Sequence, residues 1–369
     1  MLNQTQIVTL VMLASNALTL GLFLWLPVMR RERAFFGARV DRETYLGEEG
    51  RRTLRNYRLT LAALFVIITA LGYLAAARAG EPALFAVSGL GTAVAGLVVY
   101  AAYARAVRPS AIPGTGTRFA SPLRARGVAD YTHVWLEVLV ILFSAGAFVA
   151  LAYFYPRLPA LIPTHWDASG APDDWAPKGL TPVFFVPALG LYMQIFFFVL
   201  KRDLAGAKMT LPDEHAEEYL RLKEQFLLAN IRALDCARLG VALLLGFVSL
   251  MEVTSSLPEF SRQDFWLNVG AGASVALMLC AIFYYVWRMY SVNASLEELL
   301  GETYVLRPRD ERHWRHGGLT YHNPDDPALV VEKMVGLGYT MNTAHPAARR
   351  RLLLLAGIPA FVLWAIIAL

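Results

Sequence analysis

The sequence predicts an all-α polytopic membrane protein of about eight transmembrane helices, with both termini outside and a small α+β cytoplasmic module before the last helix. Three observations carry that expectation. Of the 369 residues, 56% are hydrophobic and only 17% are charged, whereas soluble domains carry about a quarter charged residues. Apolar runs near 5–29, 59–77, 82–104, 134–154, 183–200, 237–257, 265–287 and 352–369 reach or approach the roughly 20 residues a bilayer crossing needs. The third observation is the alternation of basic residues between successive connections.

The connection after the first span holds Arg30, Arg31, Arg33, Arg39, Arg42, Arg51, Arg52, Arg55 and Arg58, and the next holds only Arg78. The third carries five arginines from Arg105 to Arg126, and the fourth only Arg157 and Lys178. The pattern repeats through Lys201–Arg238, the lone Arg262, and the stretch from Arg288 to Arg351. Basic loops stay in the cytoplasm, which places the loop after the fourth span outside. The net charge of +5 is therefore topological, and it does not suggest a nucleic-acid partner. Localisation in the bacterial cytoplasmic (inner) membrane, as a multi-pass protein, is expected.

Taken in order, the first run from Ile7 to Met29 is long for a signal-peptide core, and basic residues follow it rather than precede it. It is expected to be a retained helix. Residues 1–154 then hold spans one to four, 155–182 an extracytoplasmic loop, 183–288 spans five to seven, 289–350 the cytoplasmic module and 351–369 the last span. Residues 30–58 and 201–232 share a basic pair, a "GA" and an acidic-then-basic helical stretch. In the second, Tyr219, Leu222, Phe226 and Ala229 recur at helical spacing, as in an amphipathic helix. Such a match suits either parallel repeats or two convergent juxtamembrane helices. The Pro-, Gly- and Ser-rich segment 106–133 reads as a connector, and Gly114 and Gly116 lack the lysine of a phosphate loop. In the module, "NASLEELLGETY" suggests a helix starting at an Asn cap, and 328–333 and 339–342 suit short strands. Cys236 and Cys280 offer no disulfide framework or metal knuckle.

The stretch "LIPTHWDASGAPDDWAPKG" (161–179) departs from its apolar surroundings. If it is extended, His165 and Asp167 share one face and Trp166 takes the other. Gly170 permits a reversal that returns Asp173 and Asp174 toward His165. Trp166 and Trp175 suit a headgroup-level belt. The candidate ligand-binding residues are His165, Trp166, Asp167, Asp173, Asp174, Lys178 and Glu252. Glu252 joins them because a carboxylate within a span is costly unless paired or hydrated, and Glu137 shares that distinction. His165, Asp167 and Asp173 are candidate ligands for a divalent cation; no other cofactor is expected. A rigid cap whose polar groups satisfy one another is the plainer alternative. No HExxH, GxSxG or paired nucleophile and base is present, so catalytic residues are unassigned and an enzyme is the less favoured reading. His313, His316 and His322 read as a solvated cationic face, or, with Arg307, Arg309, Arg312 and Arg315, as a patch for anionic lipid headgroups or an acidic partner protein.

"YPRLPALIPTHWDASGAPDDWAPKG" resembles the extracytoplasmic segment of bacterial SdpI-type membrane proteins. The matching positions are Leu158-Pro159, Ile162-Pro163, His165, Gly170 with Asp173, and Lys178-Gly179. "FFGARV" resembles that family's cytoplasmic signature, and "GLTYHNPDDPALVVEKMVGLGYTMN" is similar to a second uncharacterised module of some members. The resemblance implies immunity against a secreted toxic peptide, or signalling by holding a repressor at the membrane. Expected partners are the lipid bilayer, an extracytoplasmic peptide or toxin, and a cytoplasmic regulator. The expected function is thus a membrane immunity or signal-transducing protein that recognises a peptide, lipid or ion through 155–182. The alternatives are an ion-coupled transporter using Glu252 and a membrane-embedded metal-dependent hydrolase.

Overall fold

The computed structural model describes residues 4–28, 34–36, 38–79, 85, 87–110, 126–166, 172–209, 212, 215–300, 311–316, 318–333 and 338–368. The described residues are 79% helical, far above the roughly one third usual for soluble domains. Among the described residues six helices are long and apolar enough to cross a membrane. They are α3 (Glu48–Ala79), α4 (Val87–Val107), α5 (Val134–Phe154), α6 (Leu180–Ala205), α7 (Ala216–Ser256) and α8 (Asp264–Leu300). Helices α1 (Gln4–Trp25) and α9 (Pro346–Ala368) fall on the first and last expected spans. Apolar side chains such as Leu90, Ile141 and Leu277 are exposed along these helices, as a lipid-facing surface requires.

The chain packs as two compact units, Met1–Phe119 with Glu297–Asp326 and Val331–Thr343, and Ala120–Leu296 with Pro327–Val330 and Ala344–Leu369. In the first, α1, α3 and α4 pack together. Gly96 lets α4 approach α1, since a Cβ there would lie 2.4 Å from the Phe23 ring. Asn16 donates to Ser88 Oγ at 2.7 Å between the same helices. Strands β1 (Ala34–Phe35) and β2 (Ala38–Arg39) form a small hairpin, followed by α2 (Arg42–Leu46), which Asp41 caps by accepting from the Thr44 amide at 2.5 Å. The hairpin seats Phe35 and Phe36 in a core with Phe23, Val40, Tyr57 and Tyr100. Phe36 takes φ 49° in the turn, a conformation that costs an L-residue about 1–2 kcal/mol. Burial to 1% exposure against the Tyr57, Tyr100 and Tyr103 rings offsets that strain.

The module adds β5 (Trp314–Arg315) paired with β6 (Thr320–Tyr321), and β8 (Tyr339–Met341). Asn342 is fully buried and donates to the Asn323 and Asp326 carbonyls while accepting from the Asn323 amide. That one side chain fixes the Asn-Pro-Asp-Asp turn. The expected strands at 328–333 and 339–342 correspond to β7 (Val330–Glu332) and β8. The expected cap at Asn293 is corrected: α8 runs unbroken from Asp264 to Leu300, and Asn293 is buried inside it. The apolar periodicity on either side outweighs one residue's capping preference. Of the expected cationic face, Arg312, Arg315 and His316 are exposed, and His313 and His322 are partly buried. His316 and His322 bond Thr320 and Thr343 hydroxyls, and His313 lies edge-on to the Tyr321 ring. Arg307 and Arg309 lie outside the described residues.

In the second unit α5, α6 and α7 pack pairwise, and α9 lies against α6. Arg351 clamps Asp203 through two contacts of 2.5 and 3.2 Å, and Tyr192 donates to the Leu354 carbonyl at 2.6 Å. Gly240 brings α7 onto Met278 of α8. The amphipathic stretch read at 219–229 is the start of α7 itself, whose 41 residues run on through the adjoining span.

Candidate functional site

The segment between α5 and α6 folds as an antiparallel hairpin of β3 (Leu161–Trp166) and β4 (Pro172–Pro177). Alternation along the strands turns Ile162 and Ala176, which face each other in the register, into the protein. Ile162 packs with Leu151 and Leu158, Val183 of α6, and Val253 and Leu257 at the end of α7. The three prolines of β3 and β4, Pro163, Pro172 and Pro177, lack donors, which suits strands with no outer neighbour.

Lys178 locks the base of the hairpin. Its amide donates to the Ala160 carbonyl at 2.8 Å, and its ammonium donates to the Leu158 and Tyr155 carbonyls while lying over the Tyr155 ring. Arg157, which pairs with Glu259, and the edge-on contact of Phe154 with Phe260 join the same region to the turn after α7. Lys178 therefore holds backbone, although the sequence placed it with the ligand-binding groups.

At the other end the register slips on either side of His165, and the irregularity brings His165 opposite Asp174. His165 Nδ1 lies 2.5 Å from Asp173 Oδ1, with the two side chains 66% and 39% exposed. Asp174 accepts from the Trp175 amide at 2.8 Å, and Trp175 is about half exposed. The hairpin thus presents an imidazole–carboxylate pair, a second carboxylate and an indole to solvent. Asp167 lies outside the described residues, and so does the side chain of Trp166. Among the described residues no three His, Cys, Asp or Glu side chains gather as a metal site; the proposed set of His165, Asp167 and Asp173 includes one residue beyond that description.

Glu252 is on α7, one residue before Val253, and is 3% exposed. Its Oε1 has no hydrogen-bond partner among the described residues. A carboxyl so placed in a spanning segment is expensive, and among the described residues His165 pairs with Asp173 rather than with Glu252.

The structure also assembles a group that the sequence reading met only through Glu137. Arg238 donates to both Glu137 oxygens at 2.8 and 2.9 Å, and Lys201 donates to the same carboxylate at 3.2 Å. Asp235 contacts Lys201 at 2.8 Å and Arg232 at 3.0 Å. Lys201, Asp235 and Arg238 are essentially buried. The spacing of Arg232, Asp235 and Arg238 places them on one helix face, a signal present in "RALDCAR" but hidden by counting its arginines as loop charge.

Residues 142–191 match a domain of unknown function, DUF1648, and 324–349 match a family of unknown function, DUF5808. The first match takes in the hairpin with parts of both flanking helices, and this domain is found in SdpI-like membrane proteins. The second begins in the turn held by Asn342 and runs into α9. Neither the curated proteins nor the solved structures contain a match to this chain.

Proposed function

We propose that this chain is an integral membrane immunity or signal-transducing protein of the SdpI type, with eight spans, that recognises an extracytoplasmic peptide, lipid headgroup or ion through its hairpin. One observation carries the reading: the His165–Asp173 pair is solvent-exposed on a hairpin whose other face is anchored in the bundle. A rigid cap would also pair its polar groups; the exposure of both side chains is what leaves this pair open to a ligand. Here they are held at one tip, with Trp175 beside them for apolar contact. The pair can donate and accept at once, as recognition of a peptide backbone or a charged terminus requires. Anchoring through Ile162 and Lys178 joins the tip to the ends of three helices, so ligand contact bears directly on their packing. The 289–350 module is the element that would report to a cytoplasmic regulator.

The test is protection of cells against a candidate secreted peptide, with direct binding to the purified protein. His165→Ala and Asp173→Asn abolish both if the reading holds, while Lys178→Gln acts through hairpin stability. Retained binding in the two tip variants ends the proposal. A cysteine at Ser169 that is labelled only after the bilayer is breached ends the outward orientation.

A second reading has its own support in Glu252, a buried carboxyl with an unpartnered oxygen. As an ion-coupled transporter, the protein would carry gradient-dependent flux that Glu252→Gln removes. Flux unaffected by that variant would leave the recognition reading alone.

A further inference from the structure

An open cleft of about 450 Å3 lies in the second unit, between the segment entering α5 and the first turns of α7. Arg126, Asp130, Arg221, Glu224, Leu228 and Arg232 line it. The charges in this cleft are not equivalent. Arg126 donates to the Ala207 carbonyl at 3.0 Å and contacts the Met209 sulfur. Both are neutral acceptors, which hold the guanidinium in place without cancelling its charge. Among the described residues Arg221 makes an exposed contact with Glu218 at 3.4 Å. The carboxylate of Asp130, by contrast, accepts from the Gly127 amide within its own turn.

The third arginine connects the cleft to the buried ion group. Arg232 donates to the Tyr131 carbonyl and to Asp235. That group contains the cations Lys201, Arg232 and Arg238 against the carboxylates Glu137 and Asp235, so positive charge is in excess. Among its cations Arg232 alone retains solvent access, 19% against 0% for Lys201 and 3% for Arg238. Through Arg232 the excess reaches the cleft, where an anion from outside can meet it.

We infer that this cleft binds a phosphate-type oxyanion, supplied as the headgroup of an anionic phospholipid or as soluble phosphate. Arg126 and Arg232 approach from two separate segments. A tetrahedral oxyanion accepts from several directions, whereas a carboxylate accepts mainly in its own plane. Guanidinium forks match phosphate oxygens and are pre-set here by backbone carbonyls. The volume suits a small-molecule site. Leu228, 38% exposed at the cleft, offers an apolar edge on which the first carbons of a lipid could lie. Basic clefts at the ends of transmembrane helices take lipid phosphates by the same physics. The inference does not depend on what the hairpin recognises.

The experiment uses the full chain in nanodiscs. Thermal unfolding is followed in phosphatidylcholine discs, in discs containing phosphatidylglycerol, and in phosphatidylcholine discs titrated with inorganic phosphate. A stabilising shift with phosphatidylglycerol alone identifies the lipid source, and a saturable shift with phosphate identifies the soluble one. In either arm Arg126→Gln and Arg221→Gln each weaken the apparent affinity about tenfold. Arg202→Gln, an exposed cation paired with Asp203 away from the cleft lining, leaves it unchanged. Arg221→Gln breaks only a surface contact, so it serves if Arg126→Gln fails to fold. Absence of any shift overturns the site. So does a shift that survives Arg221→Gln, or one lost equally in Arg202→Gln.

Discussion

Two interiors of this protein are filled by opposite chemistry, although similar stretches of sequence lead into both. Residues 30–58 and 201–232 each run from a basic pair into a long helix, α3 or α7. In the first unit the space beside the start of that helix is packed with rings: Phe35, Phe36, Tyr57, Tyr100 and Tyr103, with centroids 4.8 to 5.7 Å apart. Its principal polar tie is the Tyr57 hydroxyl donating to the Phe23 carbonyl at 2.7 Å. In the second unit the corresponding place holds Glu137, Lys201, Arg232, Asp235 and Arg238. Rings gain by excluding water and tolerate modest rearrangement. Buried charges must be matched in position, so one carboxylate on α5 meeting cations on α6 and α7 sets the register of three helices. The aromatic interior is held by packing and the ionic one by matched charges, so that removing one charge strands its partners.

That contrast sets the order of expected effects. Asp235→Ala leaves the fully buried Lys201 and the neighbouring guanidiniums short of an anion, and is expected to cost about 3–5 kcal/mol in reversible unfolding of the purified protein. A loss below about 1 kcal/mol would show that the ionic interior is hydrated and loosely held. Phe36→Ala opens a cavity at the centre of the rings and is expected to cost about 3 kcal/mol, with no relief of the positive φ because alanine keeps the Cβ. Tyr57→Phe removes one donor from the Phe23 carbonyl and should lower stability by about 1 kcal/mol; no change would mean that packing alone holds this interior. Arg157→Gln breaks an exposed pair with Glu259 and is expected to change stability by about 0.5 kcal/mol or less, with the hairpin still closed by Lys178. The smallest effect concerns Asp41, whose carboxyl is held below the usual carboxylate range by its bonds to Thr44 and the neighbouring amides. A depressed folded value means that the cap contributes above the ordinary carboxylate range and is lost as pH falls through the folded value. Exchange of the Thr44 amide should accelerate in that acid window in the wild type and be insensitive to it in Asp41→Ala.

The helical plan was legible because hydropathy is a local property. The span expected at 134–154 is α5 itself, and the strand pair expected around 328–342 appears as β7 and β8. The return of Asp173 to His165 was also legible, since a reversal between two short extended segments leaves few arrangements. The contacts of Lys178 were not legible, because a lysine beside a ligand-like loop looks the same on paper whether it faces solvent or, as here, the carbonyls of Leu158 and Tyr155. Asp235 passed unnoticed because a carboxylate next to arginines, at the edge of an apolar run, resembles an ordinary juxtamembrane charge.

From the sequence alone came the membrane class, the extent of the apolar helices and the polar hairpin between α5 and α6, because each follows from composition and short-range periodicity. The tertiary structure alone decided that Glu137, Lys201 and Arg238 share one buried site, and that Arg126 and Arg232 face one cleft. Those pairings depend on the rotation of each helix about its axis. A turn of one residue, about 100°, would carry any of these side chains from its partner to lipid without changing the local pattern at all.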